Sequence, residues 1–343
     1  MNTYGSIDNA TAGFYALELL AHAVPDEVLV RFAHRPVSLP KNQTDVVEFR
    51  RSNPFTAATT PLIEGVTPSG QKFSYETLSV QMRQYGAYAE FTDHIEDFSK
   101  DRVVFDALER LGEQATLTRE LLLADVVAAG TTVTYGTGAA RNAQTKTGLF
   151  NRKRAEKAVV DLRQQKARLF TEILAGDEAE ETYPIEPSYI AVGPNRMSST
   201  FRSLASENSP EADHFIPVAR YGKRAQTCNL ELGSFQEFRY IITTEFGLLS
   251  GKGAAISTDA DKAAFYNDGS NYDVGQVLMF GQEAFGAVPL RGKQAGDVYV
   301  LNAGVARGGD PLAQRGTAGF KFYYAAKRLN EKWMLRIEVA VAQ

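Results

Sequence analysis

One segment restricts the possible folds of this chain more than any other: Asp101 to Ala129, which reads as a single long helix closed by Gly130. Val104, Leu108, Leu111, Ala115, Leu122, Val126 and Ala129 recur at steps of three and four, with one double step across Thr118. That spacing draws a continuous apolar stripe along one face. Gly112 is the weak point inside it. Ser99 and Asp101 are both suited to cap the first turn, and Gly130 can adopt the left-handed conformation that ends a helix. At 1.5 Å per residue the helix would run roughly 43 Å, more than a compact single domain needs. A spine with other elements laid across it is therefore expected.

The 343 residues exceed one typical domain, so two packed lobes are expected. Net charge is −4, which does not mark the whole molecule as an obligate nucleic-acid binder, although one face can still be basic. No apolar run reaches the roughly 18 residues of a membrane span. Met1 to Glu18 lacks the basic-then-apolar order of a secretory signal, so the chain is expected to stay in the cytosol where it is made. Cys228 is the only cysteine, which excludes an internal disulfide and a CxxC metal knuckle.

Residues 1–40 read as an arm: helical spacing from Phe14 to Val24, then an extended run through Val28, Val30 and Phe32 punctuated by Pro25, Pro36 and Pro40. Val46–Arg51 and Lys72–Arg83 read as two strands. Between them lies a tip crowded with Pro54, Pro61, Gly65, Pro68 and Gly70, interleaved with Phe55, Leu62, Ile63 and Val66. Loops beyond about 12–15 residues are uncommon unless they bind something or are disordered, and this one is too apolar for disorder. A lone hairpin is marginal in water, so its covering surface is expected to come from a neighbouring copy. Tyr85 to Asp93 is the next strand, with Tyr85, Ala87, Ala89 and Phe91 on one side.

After the spine come a short strand, Thr131–Tyr135, and a second amphipathic helix, Lys153 to Leu174, with Ala155, Val159, Leu162, Leu169 and Ile173 inward. Its opposite face is basic, with Arg152, Lys153, Arg154, Lys157, Arg163, Lys166 and Arg168. An acidic, proline-flanked run from Asp177 to Pro187 reads as the lobe boundary. Beyond it, short strands are expected at Tyr189–Val192, Phe238–Thr244, Val277–Phe280, Ala287–Leu290 and Val298–Leu301, with Pro194 opening a short helix. Phe320–Lys327 and Trp333–Val341 read as a closing hairpin that joins the Tyr85–Phe91 strand.

No catalytic constellation emerges. Asp93, His94 and Glu96 sit where side chains cap a helix. His214 with Glu211 and Asp213 reads as a polar turn, and the acidic stretch Asp259 to Asp273 lacks calcium-loop spacing. Gly247 to Gly253 has the wrong spacing for a phosphate loop, and Gly136-Thr137-Gly138 lacks the third glycine of a dinucleotide fingerprint. The basic helix face suits a solvated surface or a weak contact with polyanion, without the aromatic residues that grip single strands.

The order of parts resembles the major capsid protein of tailed phages, the Hong Kong 97 type fold, and more specifically the phage N4-type major capsid family. The resemblance is carried by the run Thr60 to Gly70, by Gln84-Tyr85-Gly86-Ala87-Tyr88 and by Gly112-Glu113-Gln114-Ala115. Asp310 to Thr317, Leu329-Asn330, Trp333-Met334 and Arg336-Ile337-Glu338 complete it. Phe320 stands where tryptophan is expected, and Gly193 where the family often has histidine.

The resemblance implies an α+β fold with an N-terminal arm (1–40), an extended β-hairpin loop (41–84), a peripheral domain with the spine helix (85–175, rejoined by the hairpin 313–343) and an axial domain (176–312). It implies a structural, non-enzymatic protein without cofactor or metal. Copies would assemble in the host bacterial cytoplasm into hexamers and pentamers of an icosahedral virion capsid around double-stranded DNA. Portal, scaffolding and decoration proteins are the expected further partners. An encapsulin-like nanocompartment shell, or an uncharacterised enzyme, are the alternatives.

On this reading Phe55, Leu62, Ile63, Glu64, Phe73, Tyr75 and Arg315 are expected between subunits. Arg152, Lys153, Arg154, Lys157 and Arg163 are expected to face DNA with only weak attraction. Glycine turns at Gly251–Gly253 and Gly304–Gly309 are expected to absorb the angular difference between rings of five and six.

Overall fold

The computed structural model of the chain describes residues 26–35, 44–98, 103–171, 185–205, 215–221, 226–289, 297–301, 303–304 and 311–343. A helical turn, α1 (Leu29–Phe32), precedes the hairpin of β1 (Val46–Ser52) and β2 (Tyr75–Gln81) and the long strand β3 (Arg83–Thr92). A short helix, α2 (Asp93–Phe98), leads into the spine, α3 (Val103–Ala128), followed by β4 (Val133–Tyr135) and α4 (Arg152–Gln164). Then come β5 (Tyr189–Pro194), α5 (Ser198–Arg202), β6 (Ile216–Pro217), β7 (Glu231–Phe235), β8 (Phe238–Thr243), α6 (Asp259–Ala264) and β9 (Val274–Phe280). The chain closes with β10 (Phe285–Pro289), β11 (Asp297–Leu301), β12 (Arg315–Arg328) and β13 (Met334–Ala340).

Two sheets carry the body. In the first, β12 is antiparallel to β3 along one edge and to β11 and β10 in succession along the other. Its register sets Ala87 opposite Phe320 and Tyr85 opposite Phe322, so the predicted inward side of β3 meets the phenylalanines of β12 beneath the spine. The second sheet has seven strands in the order β4-β13-β9-β5-β8-β7-β6. Strand alternation sends Ile190, Val192, Ile241, Leu278 and Phe280 into the core shared with the spine. Tyr189, Ala191, Tyr240, Met279, Ile337 and Val339 point the other way, into a second core covered by Ala155, Ala158, Val159 and Leu162 of α4.

Several expectations change. Residues 28–32 are not extended: α1 is helical, with Val28, Leu29, Val30 and Phe32 buried in the main core, so this part of the arm belongs to the body. The helical reading of Phe14–Val24, the caps at Ser99 and Asp101, the acidic turn at 211–214 and most of the run from Asp177 to Pro187 lie outside the described residues. The spine's stripe is correct at Leu108, Leu111, Ala115 and Leu122, but its fully covered line runs through Glu120, Leu123, Ala124 and Val127, leaving Ala129 exposed. A buried carboxylate at 120 hid that path.

The second helix ends at Gln164, ten residues earlier than expected. Lys166 takes a φ of 53°, and the Ala167 amide bonds back to Leu162 O at 3.1 Å, the closing bond of a Schellman turn made without glycine. Leu169 is consequently exposed, and Ile173 lies outside the described residues.

Phe320–Lys327 and Trp333–Val341 do not form a hairpin: β12 pairs in the first sheet and β13 lies between β4 and β9 in the second. β13 is buried on both sides, with Leu335, Ile337 and Val339 on one and Met334, Glu338 and Ala340 on the other, and therefore needs an interior position rather than a hairpin partner. The turn at Glu331–Trp333 is pinned elsewhere, since Leu329 and Asn330 both donate to Ala284 O and Glu331 accepts from Thr131 and Thr132 at the end of the spine. Sheet membership accordingly crosses the expected limits at 176 and 312.

Candidate assembly surfaces

The β1–β2 hairpin is anchored at its root. Val47, Phe49 and Val80 pack on Met82, Val288 and Ala325, and an Arg51–Glu76 ion pair lies further out. Past Ser52 the chain leaves the body, and residues 53–74 are exposed throughout. Leu62, Ile63 and Phe73 keep 76%, 71% and 73% of their surface in water, and Phe55 and Tyr75 more than half. Their contacts are local: Phe55 and Phe73 ring centroids lie 5.0 Å apart, Arg50 sits over Tyr75 at 4.9 Å, and Gly65 at φ 79° makes the turn that presents Glu64. A contiguous apolar surface on a projecting element marks a docking site.

Arg315 is also exposed, at the start of β12 opposite Thr92. Sequence reading missed further exposed apolar residues: Tyr88 on β3, Phe98 at the end of α2, Phe105 at the start of the spine, and the run Val298–Leu301 on β11. The β11 run reads only as a short strand in sequence, because four apolar residues in succession carry no signal of which side is covered.

The basic helix face is less available than its composition suggests. Arg152 bonds Glu156 at 2.7 Å, Arg154 donates to Gly136 O, and Arg163 pairs with Glu237. Burial pulls the Arg154 guanidinium below its ordinary range. Lys153 and Lys157 are exposed. A buried charge cluster lies instead on β13, where fully buried Glu338 accepts from Arg141 at 2.6 and 2.7 Å, from Gln276 at 3.0 Å, and pairs with Arg336 at 2.8 Å.

Asp93 accepts from the His94 amide at 2.8 Å, and exposed His94 lies 4.7 Å from Phe98. Asp261 pairs with Lys146 at 3.0 Å, Asp268 receives the amides of Ser270 and Asn271, and Asp273 receives that of Gly251. The turn at Gly251–Gly253 is fixed by these bonds, and a Cβ at Gly253 would come within 2.8 Å of Tyr272 O, so it is packed rather than loose. Of Gly304–Gly309 only Gly304 is described.

A projecting apolar loop, a spine helix crossing one sheet and a second mixed sheet are thus parts of one chain. The family model described as phage capsid protein matches residues 75–326. This chain belongs to the phage capsid protein family. It is a major capsid protein, a structural component of the virion head. The major capsid protein of Pseudomonas phage KPP21 is 24% identical over 277 residues, covering 78% of this chain and 68% of that one. Among solved structures, the capsid of Ralstonia phage GP4 superposes with a TM-score of 0.68 at 14% identity, over 100% of this chain and 98% of that one. The capsid of cyanophage Pam1 superposes with a TM-score of 0.58 at 14% identity, over 100% of both chains. The fold is thus the Hong Kong 97 type. No described helix is long and apolar enough to cross a membrane.

Proposed function

We propose that this capsid protein closes an icosahedral shell of hexamers and pentamers around double-stranded DNA, without catalysing a reaction, and that it belongs to the N4-type branch. The observation that carries this reading is the extended tip, whose apolar side chains stay exposed, with Phe55 and Phe73 set against each other. A neighbouring copy supplies the missing cover through a head-to-tail contact, in which one surface meets a different one. Phe55, Leu62, Ile63, Glu64, Phe73 and Tyr75 are the donor side of that contact; Arg315 lies on the recipient side. The arm, extended loop, peripheral and axial parts act as expected from sequence, with α1 fastened into the body and β13 shared with the axial sheet. Lys153 and Lys157 make the weak contact with DNA.

The test is expression of the chain and inspection of the product by electron microscopy with nucleic-acid analysis. Shells that enclose nuclease-protected DNA when formed during infection support the reading. Shells that enclose a dedicated protein cargo would identify a nanocompartment instead.

A further inference from the structure

Glu120 is a carboxylate at the centre of the molecule with no accessible surface. Its Oε1 accepts from the Leu29 amide at 2.7 Å and its Oε2 from the Val30 amide at 3.2 Å, some 90 residues away in sequence. Those two amides open α1, the first described structure after the N-terminal 25 residues. Among the described residues no cation pairs with Glu120. Neighbouring Arg119 is engaged by Glu27 at 2.7 Å, Arg35 donates to Val30 O at 2.9 Å, and Arg31 to Thr227 O at 2.8 Å. From β12, the buried Tyr324 hydroxyl is the remaining titratable group facing this place, and it has no hydrogen-bond partner.

A carboxylate closed off from water without a counter-charge is held in its charged form only by the amides it accepts from, and two such bonds return part of the lost hydration. Releasing α1 would re-expose Glu120 to water, so the fastening of this segment and the charge on Glu120 are thermodynamically linked.

We propose that Glu120 is a proton-linked latch that fastens α1, and with it the root of the N-terminal arm, to the spine helix: docking takes up a proton, and ionisation loosens the segment. Burial pushes this carboxyl up to about 7, against the pull of the Leu29, Val30 and Val28 amides and with a smaller push from Glu27. The docked value lies above that of a free carboxyl. The advantage of docking is therefore complete below the ordinary carboxylate range and is lost as pH rises through 7. In a shell, the latch would make the arm's freedom depend on pH; that consequence rests on the shell reading, whereas the latch itself does not.

Hydrogen exchange of the full chain between pH 5 and pH 8, corrected for intrinsic exchange rates, tests it whether or not the chain assembles. Protection of the Leu29 and Val30 amides should fall on the order of tenfold or more across that range, while amides of β5 and β9 keep theirs. Glu120→Gln should abolish the slope. Glu27→Gln, at a carboxylate already paired with Arg119, should preserve it. Flat protection in the unmodified chain, the same slope in β5 and β9, or an unchanged slope in Glu120→Gln would overturn the proposal. If Glu120→Gln fails to fold, the contrast between α1 and the two strands in the unmodified chain decides.

Discussion

Replacing Phe73 and Tyr75 with aspartate should separate folding from assembly. Fully burying a large apolar side chain contributes about 1.5–3 kcal/mol. Leu62, Ile63 and Phe73 each retain roughly three-quarters of their surface, so covering them is worth about 1–2 kcal/mol apiece. Phe55 and Tyr75 add to that sum. Ordering costs of about 0.5–1.5 kcal/mol per side chain leave a net gain of a few kcal/mol for each overlap. A single contact of that size is weak, but in the proposed ring every subunit would both give and receive one, so the closed assembly would be held far more firmly than any pair.

Two aspartates at the tip remove the gain from Phe73 and Tyr75 and place unpaired charges where water is excluded, at a cost of several kcal/mol, which reverses the sign of the contact. The subunit itself should barely notice. Phe73 touches Phe55, Tyr75 lies under Arg50, and neither reaches a core cluster. Exposed substitutions of this kind usually change stability by about 0.5 kcal/mol or less. Thermal unfolding should therefore match the unmodified chain within a few degrees, while sedimentation and negative-stain microscopy show soluble subunits and no shells. Normal particles would refute the role given to the loop. Subunits that no longer unfold cooperatively would show that the tip belongs to the core.

Three further outcomes follow from the interior and from the basic helix. Burial pushes the Glu338 carboxyl up, but bonds from Arg141 and Gln276 and the charges of Arg141 and Arg336 outweigh it and hold the group below its ordinary value of 4.5. Its stabilisation is therefore present above that value and lost as pH falls through the lower folded one. Glu338→Gln should cost about 2–4 kcal/mol in urea unfolding at pH 7, and progressively less as the pH is lowered through the folded-state value of Glu338. Gly193→Ala would set a Cβ 2.7 Å from the buried Phe201 ring and should cost about 1–3 kcal/mol, read by the same unfolding curves; combining it with Phe201→Leu should recover part of that loss. Binding of isolated subunits to duplex DNA should show a log–log salt slope no steeper than about −2, because on the proposed reading Lys153 and Lys157 would neutralise about two phosphates. A much steeper slope would locate a basic surface elsewhere.

The legible parts of the fold were those whose periodicity is simple. The spine's existence and the position of its end follow from spacing, although Gly130 does not take the left-handed conformation expected of it and instead bonds back to Val127 O at 3.3 Å; the inward side of β3 follows from alternation at Tyr85, Ala87, Ala89 and Phe91. The extended loop was legible through a mismatch, a proline-rich segment too apolar to be left in water. What failed did so for physical reasons. Glu120 occupies a core position because the chain folds its own α1 amides onto it, a long-range pairing with no local signature. Lys166 ends α4 in a left-handed conformation normally marked by glycine. β12 and β13 look like a hairpin because a short turn joins them, yet the turn is fixed by Ala284 and by the end of the spine. Gly193, which stands where the family resemblance expects a larger residue, is explained only once the Phe201 ring is found against it.

The most direct measurement is a cryo-electron microscopy reconstruction of the assembled particle at side-chain detail. Residues 53–74 should lie across an adjacent copy, with Leu62, Ile63 and Phe73 removed from water by that copy's surface. A loop folded back onto its own subunit, or one left uncovered in a complete shell, would contradict the account of how these subunits hold together.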